Sequence, residues 1–253
     1  RHVKAQRQKW FGCACCPPNL ARLVSSLPAY IAGQDGNTLY IHLYVGSLIS
    51  AELNGSPLRL RLDADLARDG NVMLTVESGS AGGRLAFRVP EWAGEPAVLS
   101  PFPFTMEKGY LVFDGIWHAG DTVRIDFPMP VRIISASPRV RETAGQVCFA
   151  RGPLVYCAEE RDNGGDLHLL RVDPGLSGKA EVLYRSVNGL EVPCIQFPGS
   201  RITQRPGMPL YAPWKPAVST RVSVVLVPYF VWGNRGQGEM RVWLYAAPEA
   251  GGV

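Results

Sequence analysis

The period of the hydrophobic pattern changes at about Asn37, and that change decides most of what this chain can build. Before it, Leu20, Leu23, Val24, Leu27 and Ile31 recur at helical spacing and form one apolar face. After it, Thr38–Tyr44 reads T-L-Y-I-H-L-Y, alternating and rich in strand-forming residues. Short runs of the same kind follow at Ser47–Leu53, Leu58–Leu62, Val72–Glu77, Arg84–Val89, Tyr110–Phe113 and Thr122–Phe127. Turn signals separate them: Asn54-Gly55, Asp69-Gly70, Gly82-Gly83, Lys108-Gly109 and Ala119–Asp121. Strands at this spacing predict a sandwich or barrel.

A second β-region begins after the Pro128–Pro130 step and the run Val131–Ser135. Its clearest strands are Val147–Ala150, Leu154–Ala158, Leu167–Val172, Lys179–Tyr184, Val222–Val227 and Met240–Tyr245. Gly199–Pro216 is rich in proline and glycine and reads as a long loop. The expected division is 1–36 for the helical segment, 37–135 for a first β-sandwich and 136–253 for a second. A single amphipathic helix cannot make a domain and must bury its face elsewhere.

Chemistry concentrates in the helical segment. Lys9–Asn19 reads K-W-F-G-C-A-C-C-P-P-N, placing Cys13, Cys15 and Cys16, half of the chain's six cysteines, within four residues. Pro17 and Pro18 suit the first turn of a helix, where a missing N–H is no loss. Gly33 is the expected stop, and Pro28 is expected to kink the last turn. Cys15 and Cys16 are therefore expected just outside a helix N-terminus, whose unpaired N–H groups and partial positive charge favour a thiolate. Thiolate is both nucleophile and metal ligand. Three readings compete: small buried hydrophobes, a zinc site, and a nucleophile. Adjacent cysteines make a strained disulfide, and the usual second ligand pair at zinc-site spacing is not visible.

The motif W-F-G-C-A-C-C-P-P-N-L-A-R-L resembles the signature of glycoside hydrolase family 127, the β-L-arabinofuranosidase family. Arg88–Ala93 (R-V-P-E-W-A), Ala150–Asn163 (A-R-G-P-L-V-Y-C-A-E-E-R-D-N) and Pro228–Trp243 agree, in the family's order. The resemblance covers the C-terminal part of much longer family members. It implies a mainly β chain, two β-sandwich domains preceded by the last helix of an (α/α)6 barrel that is otherwise missing. It also implies a Zn2+ ion held by three cysteines and a glutamate. The first of the adjacent cysteines would be the nucleophile. On this chain that role falls on Cys15, also a zinc ligand, with Cys16 as a second ligand. The other ligands and the general acid/base glutamate would lie upstream, so these residues alone are expected to be inactive. Cys13 matches no ligand position carried over. The implied partners are an oligosaccharide bearing β-L-arabinofuranosides and, through the second sandwich, a homodimer. The alternative is a non-catalytic β-sandwich module serving carbohydrate binding or dimerisation.

The remaining residues carry blander readings. A hydrophobic fraction of 46% and a charged fraction of 19% are ordinary for a globular protein. The net charge of +4 is scattered, without the basic runs that nucleic-acid binding uses. No apolar run approaches the roughly 18 residues of a membrane helix. A reactive thiol cluster favours a reducing compartment, hence the cytoplasm. His42 is expected to be satisfied within a strand, and His118 and His168 lie near turns. Cys148, Cys157 and Cys194 read as core. Glu159, Glu160 and Asp162 could be paired glycosidase carboxylates, but a solvated strand end is the expected reading. Asn234–Glu239 reads as a turn, and Trp92, Trp117, Trp214, Trp232 and Trp243 as core or interface.

Overall fold

The computed structural model describes residues 6–7, 12, 14–203, 205 and 207–247. They fall into two compact units, the first running to Met129 and the second from Pro130 onward together with Gln6 and Arg7. No helix among the described residues is long and apolar enough to cross a membrane.

The first unit opens with helix α1 (Cys16–Ser26), carrying Pro17 and Pro18 in its first turn. It breaks at Leu27, and Pro28 starts a one-turn helix, α2 (Pro28–Ile31), as a proline at that place requires. Gly33 stands one residue past the C-cap Ala32, where a stop is expected, but without the left-handed backbone that a glycine stop uses. Ala32 is already extended, because the backbone amides of His42 and Leu43 both donate to the Ile31 carbonyl. Ile31 enters the core, whereas Leu20, Leu23 and Val24 on α1 are exposed.

The strands that follow form two layers around one core. One layer pairs Val45–Leu53 with Ser56–Asp65, and that strand with the first half of Asn71–Arg88. The other sets Thr38–Ile41 and Tyr110–His118 against the second half of Asn71–Arg88. The eighteen-residue strand Asn71–Arg88 thus passes from one layer into the other. Gly79 permits the passage, with φ at +99° and only 2.2 Å between an added Cβ and the Pro57 carbonyl. The pattern had predicted a turn at Gly82-Gly83 between separate strands. The chain instead stays paired with Tyr110–His118 throughout, and Gly83 lets Asn37 approach closely. Alternate residues fill the interior: Leu58, Leu60 and Leu62 from one layer, Leu85, Phe87, Phe113 and Trp117 from the other. The buried Trp117 indole donates to the Gly83 carbonyl at 2.9 Å, as a buried indole N–H must find an acceptor.

The second unit is one continuous sheet folded over its core. Leu154–Glu159 and Gln146–Arg151 form a hairpin. From Gln146–Arg151 the ladder runs through Leu244–Ala246, Leu170–Val172, Leu190–Thr203 and Val218–Pro228 back to Leu154–Glu159. It therefore closes on itself. Val131–Ser135, expected in the first sandwich, is an added edge strand of this sheet, paired with Gln146–Arg151. Gly199–Thr203, expected as loop, continues a strand because Val218–Val222 lies opposite it. Strand alternation gives this sheet two apolar clusters. Tyr156, Ile195, Phe197 and Leu226 face one of them; Cys157, Cys194, Val227 and Val231 face the other.

Candidate active site

The two prolines share the first turn of α1 with Cys16, and this places both thiols at the helix start. Cys15 is the N-cap and Cys16 the first helical residue, so only Cys15 lies outside the helix as expected. The sulfurs are 3.6 Å apart, well beyond the S–S bond length of about 2.05 Å, so the pair is not joined. No side chain caps the helix start. Instead Asn19 turns back: its amide donates to the Cys15 carbonyl at 2.9 Å, and its own oxygen accepts from Arg22 at 2.9 Å. The pair thus stands on a helical turn braced from the next turn, with both cysteines exposed.

This geometry fits a metal. Two thiolates on a tetrahedral zinc ion, with Zn–S about 2.3 Å, lie about 3.8 Å apart, close to the separation found here. Among the described residues no group of three or more potential ligands converges on one point. Cys15 and Cys16 would by themselves supply two of the four ligands that zinc normally takes, and Cys13 lies outside the described residues.

The other candidates resolve into structural roles. His42 Nδ1 lies 2.9 Å from the Tyr110 hydroxyl, and His118 Nδ1 lies 3.0 Å from Ser80 Oγ. Cys148, Cys157 and Cys194 are buried. Burial pushes the Cys157 thiol up to about 12, so it stays neutral. Trp117 is core, Trp92 packs against the core, and Trp214 is exposed on the loop that follows Thr203.

The expectation for Glu159 was wrong. It is buried, and its carboxylate is ion-paired with Arg235. Arg235 Nε donates to Glu159 Oε2 at 2.8 Å, and its Nη1 donates to Asp162 Oδ1 at 3.1 Å. Burial disfavours the Arg235 charge, but Asp162 and Glu159 outweigh it and raise its pKa. Glu160 accepts from the Glu239 amide, and Glu239 accepts from the Leu167 amide, both at 2.8 Å. These acids are spent on tying the 159–167 segment to the 233–239 loop inside the second unit. Local sequence hid this, because the partners are some seventy-five residues apart; the one signal was an arginine within a glycine-rich turn.

Comparison with known proteins agrees with the motifs. Residues 38–129 match the beta-L-arabinofuranosidase GH127 middle domain, and residues 131–245 match the glycoside hydrolase family 127 C-terminal domain. The chain belongs to glycoside hydrolase family 127. It is 36% identical over 262 residues to the non-reducing end beta-L-arabinofuranosidase of Bifidobacterium longum subsp. longum, covering 96% of this chain and 38% of that protein. A GH127 beta-L-arabinofuranosidase from Geobacillus stearothermophilus T6 superposes with a TM-score of 0.85 at 38% identity, over 97% of this chain and 39% of that one. A second GH127 beta-arabinofuranosidase gives 0.82 at 26% identity, over 96% of this chain and 40% of that one. This family 127 chain thus spans about two fifths of the length of these relatives.

Proposed function

We propose that this chain is the C-terminal part of a retaining glycoside hydrolase of the β-L-arabinofuranosidase type, acting on arabino-oligosaccharides. The observation that carries the reading is the Cys15–Cys16 pair, with sulfurs 3.6 Å apart at a helix start, inside a family 127 chain. Cys15 is the nucleophile. Its thiolate attacks the anomeric carbon, a C–S bond forms, and the glycosidic C–O bond breaks. A glutamate outside these residues protonates the departing oxygen and then draws a proton from water. That water displaces the thiolate and releases the sugar. Cys15 and Cys16 are the residues here that would hold zinc, and a bound zinc ion supplies charge that keeps the thiols deprotonated. Asn19 and Arg22 hold the backbone of the pair in place. α1 is read as the last helix of the (α/α)6 barrel, its exposed Leu20, Leu23 and Val24 facing helices that precede it. Such thiol chemistry suits a reducing compartment, the cytoplasm.

The decisive experiment uses the complete protein. Wild type incubated with substrate and quenched should carry one sugar on the peptide containing Cys15, and Cys15→Ser should carry none and turn over orders of magnitude more slowly. Undiminished turnover in Cys15→Ser would remove the assignment.

A second reading, of the second unit as a dimerisation or carbohydrate-binding module, is favoured by one observation. Leu210, Tyr211 and Trp214, which lie between Met208 and Val218, are each at least 86% exposed, and large apolar side chains so placed mark contact surfaces. Sedimentation of a Tyr211→Ala/Trp214→Ala double variant, with and without arabino-oligosaccharide, distinguishes loss of a dimer from loss of sugar binding.

A further inference from the structure

Cys15 is the N-cap of α1, a place whose side chain ordinarily works for the helix. An N-cap side chain accepts a hydrogen bond from the backbone N–H of the second or third helical residue. In α1 those residues are Pro17 and Pro18, which have no N–H to give. The Cys15 side chain accordingly makes no capping bond, and the start of the helix is held through the Cys15 carbonyl instead.

That carbonyl depends on one side chain. The backbone bond it accepts, from the Asn19 amide, is long at 3.4 Å, beyond the usual limit of about 3.2 Å. The Asn19 side chain supplies the closer donor to the same oxygen, with Nδ2 at 2.9 Å. Asn19 Oδ1 in turn accepts from Arg22 Nη2 at 2.9 Å. A guanidinium can only donate. Arg22 therefore keeps the oxygen of the Asn19 amide towards itself and the NH2 group on the Cys15 carbonyl. Helix propensity does not call for asparagine here, since alanine and leucine both form helix more readily.

We infer that Asn19 is a positioning residue, oriented by Arg22: it clamps the Cys15 backbone, so that a sulfur which the two prolines release from capping is still held in line with the substrate. This rests on Cys15 being the nucleophile. A displacement of about 1 Å at a reacting atom costs on the order of a hundredfold in rate. Slackening the Cys15 backbone should therefore lower turnover without weakening substrate binding.

The test compares Asn19→Ala, Asn19→Leu, Arg22→Ala, Arg22→Lys and Cys15→Ser in the complete protein. Alanine and leucine favour helix over asparagine, so neither lowers the helix propensity of α1. Turnover of an aryl β-L-arabinofuranoside is measured beside zinc content and the rate at which iodoacetamide alkylates Cys15, read by fragmentation of its peptide. Alkylation needs a thiolate but no alignment with a bound sugar. Both Asn19 variants should lower kcat roughly ten- to a hundredfold with KM within about twofold, while zinc content and Cys15 alkylation stay at their wild-type values. Arg22→Ala should lower kcat less, and Arg22→Lys should recover most of that loss. Asn19 variants whose kcat stays within about twofold of wild type overturn the inference. So does a loss carried by KM, or one that zinc content or alkylation follows in proportion, because Asn19 would then support the site as a whole. Wild-type turnover in Arg22→Ala overturns the part assigned to Arg22. Active Cys15→Ser sinks the nucleophile reading itself; inactive Cys15→Ser beside normal Asn19 variants sinks only the clamp.

Discussion

Glu159 and Arg235, seventy-six residues apart, meet as a buried ion pair with side chains only 9% and 14% exposed. Asp162 adds a second carboxylate to the same guanidinium. Removing one partner of a buried pair strands the other charge, which typically costs about 3–5 kcal/mol. Glu159→Ala should therefore lower the urea midpoint of the second unit clearly, and Arg235→Met should do so too by leaving two carboxylates uncompensated. Charge-conserving Asp162→Glu should be milder. A midpoint unchanged in Glu159→Ala would show that the pair contributes nothing.

Cys157 gives a pH dependence with a definite sign. Its thiol is fully enclosed and its pKa is raised by burial to about 12, against 9.0 for the unperturbed group. The folded state thus holds its proton more tightly than the unfolded one. Its contribution is complete below about pH 9 and falls by about 1.4 kcal/mol per pH unit as pH rises towards 12. Denaturant melts of wild type and Cys157→Ala should differ by a constant amount up to pH 9 and converge above it. Parallel curves through pH 11 would contradict the burial argument.

Gly79 should not tolerate a side chain. Ala at φ of +99° is strained by about 1–3 kcal/mol, and its Cβ would press on the Pro57 carbonyl. Gly79→Ala should lower the melting temperature of the first unit, while Gly55→Ala, at a turn with open space around it, should lower it less. Equal effects would mean that the passage between layers does not depend on the close approach.

Residues 1–253 expressed alone should be catalytically silent. Protonation of the leaving group accounts for about 10²–10⁴ in rate, and the acid assigned to that step lies outside these residues. Zinc affinity should also be poor with Cys15 and Cys16 as the assigned ligands. Arabinofuranoside release by the purified chain, measured by chromatography of the products, would place the acid inside it.

Local pattern determined a good deal of this protein. Alternation marked most of the strands and their inward faces, and the Pro-Pro step marked where α1 begins. Those features act over a few residues, through backbone preference and side-chain period, so a single sequence carries them. What only the tertiary structure decided are relations between distant segments. Val131–Ser135 joins the second sheet because its ladder partner is Gln146–Arg151, and Asn71–Arg88 serves two layers because Pro57 and Asn37 come close to its glycines. Glu159 reads as a solvated acid until Arg235 is placed beside it. Arg7 reads as nothing until Tyr229 and Trp232 present their carbonyls. A charge's role depends on what neutralises it after burial, and that partner is chosen by the fold, not by the neighbouring residues in the chain.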